Sequence, residues 1–119
     1  MADITTGAQT VTAAGPVTGT LSTATLTAAP TLKLAVTGLT AGATARIAIE
    51  DTANSTAFSD AEAAAVWDIE GQVSTNDMDL SVTADMIPSL RFGTANNKLR
   101  ANVLFLSVGA SLTLHAFTD

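Results

Sequence analysis

The feature that most constrains the fold is the alternation of apolar and polar residues from Thr31 to Asp51. The period of two runs through a first stretch, stops at a short turn that holds Gly38 and Gly42, and then resumes. Such a period predicts β-strands that bury one face. Glycine supplies the backbone freedom that a tight turn needs. We therefore predict a β-hairpin over residues 31–51, with Leu39 folded over the end of the sheet.

Two further stretches in the middle of the chain alternate in the same way. Residues 67–73 place Trp67 on an apolar face, and residues 78–83 repeat the pattern. The motif S-x-x-E at 59–62 could cap a helix through the alanines at 61–65, but the clean alternation that follows favours a strand. We predict strands in both stretches, and Trp67 as a core anchor.

The last third of the chain predicts two more strands. Residues 99–108 are apolar on both faces, so this strand is expected to be central in its sheet or part of an interface. Strict alternation places Phe105 on the same face as Leu99. The short turn at 109–111 and the alternation over 112–117 predict a carboxy-terminal hairpin.

These patterns together predict an all-β chain of seven to eight strands. Turn signals recur about every ten residues, which is typical of an antiparallel β-sandwich or jelly roll, and an immunoglobulin-like or fibronectin-like arrangement is also compatible. A chain of 119 residues suits one domain. We assign the β-sandwich to residues 31–119. The Thr/Ala-rich segment 1–30 is expected to be an edge strand or an arm, either loosely attached or reaching a neighbouring subunit.

Composition and charge disfavour several classes of function. The net charge is −6 with only five Lys and Arg residues, which disfavours binding to nucleic acid or to an anionic membrane. The absence of Cys excludes thiol catalysis, thiolate metal sites and disulfides. No apolar run approaches the roughly 20 residues of a spanning helix. The sequence MADITTGAQT at the start lacks the features of a secretory signal.

The residues that could carry catalysis or bind a metal are few. His115 is the single histidine, and no G-x-S-x-G motif surrounds a serine, so an outward polar role is favoured over a catalytic one. Asn76, Asp77 and Asp79 are oxygen ligands of the kind calcium prefers, but the EF-hand pattern is absent, and a solvated turn is favoured. We therefore expect no enzymatic activity and no cofactor.

Two pairs of carboxylates could in principle support glycoside hydrolysis. They are Glu50 with Asp51, and Asp68 with Glu70. Strand alternation places Asp68 and Glu70 on a solvent face, away from the apolar surroundings that would raise a carboxyl pKa. We interpret this second pair as solubilising charge.

The charges are distributed unevenly along the chain. Residues 1–90 hold ten acids and two bases, net −8, whereas residues 91–119 hold three bases and one acid, net +2, and the two sum to −6. The bases of the last segment are Arg91, Lys98 and Arg100. They are either scattered surface charge or a candidate interface, an edge that docks against an acidic surface.

Two resemblances to known families are carried by these segments. The turn G-L-T-A-G-A-T-A at 38–45 resembles a turn of fibronectin type III domains, with Ala in place of the Pro and Tyr of that motif. Over a longer span, the segments TGLTAGATARIAIED, AVWDIEGQV and IPSLRFGTANNKLRANV are similar in layout to β-sandwich capsid decoration (cement) proteins of tailed phages.

The second resemblance implies a structural function. It implies a virion protein made in the host cytoplasm, which binds the major capsid protein on the outer surface of an assembled head, stabilises the head and forms a homo-oligomer. Its requirements are a stiff domain and many repeated contacts. The alternative is a ligand-binding or carbohydrate-binding β-sandwich module of a surface or phage-tail protein. Sugar sites commonly use aromatic platforms, and Trp67 is then the residue that discriminates the two.

Overall fold

The computed structural model describes residues 2–25, 31–52, 58, 61–71, 78–83 and 98–118, of which 78–83 are described by their backbone alone. These residues form an antiparallel β-sandwich, which confirms the all-β prediction. The strands are β1 (Ala2–Asp3), β2 (Gln9–Val11), β3 (Gly15–Pro16), β4 (Leu21–Ser22), β5 (Thr31–Thr37), β6 (Thr44–Asp51), β7 (Glu62–Glu70), β8 (Met78–Thr83), β9 (Lys98–Leu106) and β10 (Leu112–Thr118). A 3₁₀ turn, Thr23–Thr25, follows β4.

The strand order is that of a jelly roll. Sheet 1 has the order β1–β10–β5–β8, with β2 also paired to β10, and sheet 2 has the order β3–β9–β6–β7, with β4 also paired to β9. The described strands therefore occupy eight positions in the two sheets. Strands that follow one another along the chain lie in different sheets at six of the seven steps between these positions, the exception being β6 to β7. This is the two-sheet arrangement of eight antiparallel positions that defines a jelly roll.

The predicted count of seven to eight strands was wrong, because the described residues form ten. The reason is that two edge positions are interrupted. Strands β1 and β2 pair with successive parts of β10, while β3 and β4 pair with successive parts of β9. Between β1 and β2 the chain stays attached, since the amides of Ile4 and Thr5 both donate to the carbonyl oxygen of Ala116. Residues 2–22 thus supply an edge to each sheet.

The two predicted hairpins were also wrong. The strands are correct, but β5 lies in sheet 1 and β6 in sheet 2, and β9 and β10 are likewise divided between the sheets. Gly38 and Gly42 have φ of 67° and 80°, and the turn that they permit carries the chain across the sandwich. Since each strand has one apolar face, crossing lets two consecutive strands bury those faces against each other. Leu39 is fully buried under this turn, as expected.

The core is a single apolar layer between the sheets. Trp67 belongs to it with 8% of its surface exposed, opposite Ile47 on the neighbouring strand, which confirms Trp67 as a core anchor. The strand over 62–70 also confirms the preference for a strand over a helix in the alanine run. The largest fully buried side chains are Ile4, Leu32, Leu34, Val36, Leu39, Ile47, Ile49, Leu99, Val103, Leu112 and Leu114. Burial of each such side chain contributes about 1.5–3 kcal/mol.

Gly71, at the end of β7, provides a test of how closely the loops pack. Its amide donates to the carbonyl oxygen of Ala43 over 2.9 Å, and a Cβ there would collide with the backbone of Thr40 and lie 2.9 Å from the carbonyl oxygen of Leu39. We predict that Gly71→Ala lowers the free energy of unfolding by about 2–3 kcal/mol, because backbone atoms must move. Urea unfolding followed by circular dichroism measures the change.

The matched control is Gly109→Ala. Gly109 has a φ of +79° and open space where a Cβ would lie, so only the backbone strain of about 1–2 kcal/mol applies. Equal costs for the two substitutions would contradict the close packing at Gly71.

Candidate functional site

The outer face of sheet 2 is the candidate site, and alternation along its strands determines which residues it displays. On β6 the side chains of Ala45, Ile47 and Ile49 are buried between the sheets, so Arg46 and Glu50 point outward. The pairing registers place Asp68 of β7 on one side of Arg46 and Phe105 of β9 on the other. These three residues form a row across the sheet.

A β-bulge in β9 places apolar side chains on this outer face. Arg46 pairs with Phe105 but its neighbour Ile47 pairs with Val103, so Leu104 is an extra residue in the strand. Leu104 and Phe105 are consequently both exposed, at 44% and 53%, and Leu106 turns into the core. The prediction that Phe105 shares a face with Leu99 was wrong, because the bulge reverses the alternation after Leu104. Of the two alternatives predicted for this strand, a central place in the sheet is confirmed, since β9 lies between β3/β4 and β6.

Val66 of β7 extends this apolar surface. It is 48% exposed and opposes Ala48, one row along from Asp68. We call Val66, Leu104 and Phe105 the apolar patch. Val108, at the tip of the turn after β9, is fully exposed and lies outside the strands. Exposed apolar side chains grouped on one face commonly mark a site of contact with another macromolecule.

Arg46 and Asp68 form an exposed ion pair within this face. The Nε of Arg46 donates to Oδ1 of Asp68 over 2.7 Å, and Nη2 donates to Oδ2 over 3.2 Å. The hydrogen bond from Arg46 lowers the pKa of Asp68, and the same interaction raises the pKa of Arg46. Because the side chains are 55% and 68% exposed, water and salt screen the pair, which makes it a weak contributor to stability.

An open groove of about 690 Å³ lies along this ion pair. It is lined by Thr44, Ala45, Arg46, Asp68, Ile69, Glu70, Leu104 and Phe105. The groove therefore combines an aromatic side chain, an aliphatic side chain and both signs of charge. The prediction that Asp68 and Glu70 lie on a solvent face is confirmed. The groove and the exposure of Phe105 were not predicted, because a bulge leaves no mark in the alternation pattern.

The predicted interface residues Lys98 and Arg100 also lie on β9 and face outward, whereas Arg91 is outside the described residues. Arg100 donates from Nε to Oε1 of Glu50 over 2.8 Å, and its guanidinium lies 4.4 Å from the ring centre of Phe58. Its charge is thus balanced by a carboxylate of the same chain. Whether these bases contact a partner stays a prediction.

Lys98 and Glu50 are both held in place by neighbouring strands. The backbone of Lys98 makes two hydrogen bonds with Thr52: its amide donates to Oγ1 over 3.0 Å, and its carbonyl oxygen accepts from the Thr52 amide over 3.1 Å. Glu50 also accepts a hydrogen bond from Nδ2 of Asn102. Asp51, the neighbour of Glu50, is fully buried. The two carboxylates therefore face opposite sides of the sheet and do not share a site.

The other predicted candidates lie elsewhere. His115, on the outer face of sheet 1, lies 2.9 Å from Oδ1 of Asp3 through Nε2 and packs against the ring of Phe117. Asn76 and Asp77 are outside the described residues, and Asp79 is in β8 opposite Ala35. Among the residues that the structure describes, no three His, Cys, Asp or Glu side chains are grouped so as to hold a metal ion.

The fold and this surface define an antiparallel jelly-roll sandwich with an exposed apolar patch on one sheet. A scan against protein-family models, a search of curated proteins and a search of solved structures each returned no match. Within the described ranges, no helix has the length and apolarity needed to cross a bilayer.

The ion pair predicts an altered titration of Asp68. Because Arg46 lowers the pKa of Asp68 on folding, the pair stabilises the folded state above the ordinary carboxyl range, and this contribution is lost as the pH falls through the folded pKa. We expect the carboxyl carbon of Asp68 to titrate with a pKa below 3.8 in an NMR titration, and this pKa to move upward in Arg46→Gln. Arg100→Gln, which removes the cation paired with Glu50, should leave it unchanged. An unshifted Asp68 in the wild-type protein would contradict the pairing.

Proposed function

We propose that this protein is a non-enzymatic structural protein of a phage virion, which binds the surface of an assembled capsid and stabilises it as a decoration or cement protein. The observation that carries the proposal is the apolar patch of Val66, Leu104 and Phe105, displayed on the outer face of sheet 2, where a neighbouring molecule of the assembly can cover it. Exposed apolar side chains on one face suit contact with another macromolecule. The jelly roll is itself a fold found in viral capsid proteins.

The proposed partners are the major capsid protein and further copies of the same chain. Each contact of a small domain is weak, but contacts repeated across a lattice add when the geometry lets them form together. The two-sheet sandwich supplies the stiffness that such geometry requires. The acidic charge of −6 supports a protein partner and not a nucleic acid. The proposed location is the outer surface of the virion, after synthesis in the host cytoplasm.

Co-sedimentation with empty phage heads tests the proposal. We expect the purified protein to pellet with expanded heads, to saturate at a fixed number of copies per capsid subunit, and to raise the temperature at which the heads disassemble. Heads that already carry their own decoration protein are the control and should bind much less. Failure to bind and stabilise cognate undecorated heads would overturn the proposal.

The second candidate is a carbohydrate-binding module, and the groove beside Phe105 is the observation that favours it. An aromatic ring next to Arg46 and Asp68 offers both a stacking surface and hydrogen-bonding groups for a sugar. Trp67 does not serve as the platform, because only 8% of its surface is exposed.

Trp67 fluorescence checks that Trp67 lies in the core and does not bind sugar. We expect an emission maximum shifted to the blue, weak quenching by acrylamide and no change when glycans are added, because the indole is packed in the core. An exposed indole whose emission responds to glycan would contradict the core assignment and favour the binding module. Glycan-array binding that Phe105→Ala abolishes would favour that module through the groove.

A further inference from the structure

The outer face of sheet 2 combines features that together specify what covers it. It displays the apolar patch, the Arg46–Asp68 ion pair and the adjoining groove on strands β6, β7 and β9. We infer that this face binds the same face of a second copy of the chain, related by a two-fold axis. The inference deepens the self-association contained in the proposed function, on which it rests, and assigns that contact to a surface.

The balance of charge on this face favours a second copy. The chain carries a net charge of −6, so two copies repel each other when they meet through acidic surfaces. Apart from Glu62 at the start of β7, the charged residues that face outward on the three strands are three bases and three acids, so their charges sum to zero. They are Arg46, Lys98, Arg100, Glu50, Asp68 and Glu70. Including Glu62, at the first residue of β7, gives −1. Two copies can therefore approach through this face with little repulsion.

The arrangement of the ion pair is self-complementary. A two-fold contact brings the same surface of both molecules together, so each group on it must find a partner on an identical surface. Arg46 and Asp68 satisfy that condition, because Arg46 of one copy can meet Asp68 of the other while the reciprocal contact forms at the same time. Both side chains are more than half exposed and can reorient toward a second molecule.

The shape of the face satisfies the same condition. Leu104 and Phe105 project from β9 beside the groove of about 690 Å³ that they help to line. A projection and a depression on one surface can fill each other when two copies meet around a two-fold axis. Burial of the apolar patch then supplies the favourable free energy of association.

The size of the face indicates a weak dimer. Strands of nine residues are about 30 Å long and four strands are about 19 Å wide, which gives a flat area of roughly 570 Å². Standard interfaces bury about 800 Å² on each partner, and smaller ones are transient. We expect a dissociation constant in the micromolar range, on the order of 1–100 μM. Such affinity suits a contact that is reinforced when many copies bind one surface.

Sedimentation velocity across a concentration series is the first test. We expect a reversible monomer–dimer equilibrium for the wild-type protein. Leu104→Asp and Phe105→Asp should each raise the dissociation constant at least about tenfold, since each buries a charge in the contact. Thr37→Asp adds the same charge to an exposed site on sheet 1 and should leave the equilibrium unchanged. Circular dichroism verifies that each variant is folded.

A charge exchange tests the two-fold contact directly. Arg46→Glu alone and Asp68→Arg alone each place like charges across the interface, so each protein should be monomeric. An equimolar mixture of the two should form a heterodimer. In one half of that contact the introduced glutamate faces the introduced arginine, and in the other half the native Asp68 faces the native Arg46. The mixture needs no contact with any capsid.

The outcomes separate this inference from the proposed function. A wild-type chain that stays monomeric up to about 1 mM, or a dimer that survives Leu104→Asp and Phe105→Asp, overturns the inference. Loss of capsid binding in those variants without any change in self-association also overturns it and leaves the proposed function standing. Dimerisation with the expected charge-exchange pattern supports the inference even where the protein fails to bind heads.

Discussion

The apolar layer between the two sheets is the interaction on which the rest of this structure depends. Strands β5 and β10 of sheet 1 and strands β6 and β9 of sheet 2 each bury a row of aliphatic side chains in it. Consecutive positions of the described strands lie on opposite sides of that layer at six of seven steps, so nearly every described strand pairs with one that is distant in sequence. Pairings of this kind repay their loop-closure entropy only when the whole layer forms. The layer therefore stabilises the domain as one unit, including the short strands of residues 2–22.

This dependence explains which parts of the fold the sequence predicts and which it does not. Alternation reports whether a strand buries one face. It located β5, β6, β7, β8 and β10, and it placed Trp67 in the core. It does not report which sheet a strand joins, because an in-sheet hairpin and a crossing between sheets leave the same pattern around Gly38 and Gly42. The hairpin predicted there failed for that reason. The division of each edge position into two short strands was missed for a related reason, since a strand of two residues such as Gly15–Pro16 is too short to show any period.

The candidate site was harder to predict than the core, because it arises from a departure from regular geometry. The sequence places apolar residues on both faces of 99–108, Leu104, Phe105 and Leu106 among them, from which a strand that is central or part of an interface was inferred. The bulge in β9 instead places Leu104 and Phe105 on the surface and Leu106 in the core. Only the pairing of β9 with β6 reveals this bulge. The bases Lys98 and Arg100 were recognised from charge alone, but the balancing carboxylate Glu50 is 50 residues away from Arg100 in the sequence.

Exposed apolar residues carry a risk of indiscriminate association, and the charge of the chain limits that risk. Acids outnumber bases by eleven to five over the whole sequence, yet the regular part of the outer face of sheet 2 is neutral. Approach of two copies in most orientations is therefore opposed by repulsion, whereas approach through this face meets little repulsion and gains from burial of Val66, Leu104 and Phe105. Net charge and local neutrality act together: the first suppresses the wrong contacts and the second permits one. An orientation selected in this way is what a protein needs if many copies are to occupy equivalent positions on a larger assembly.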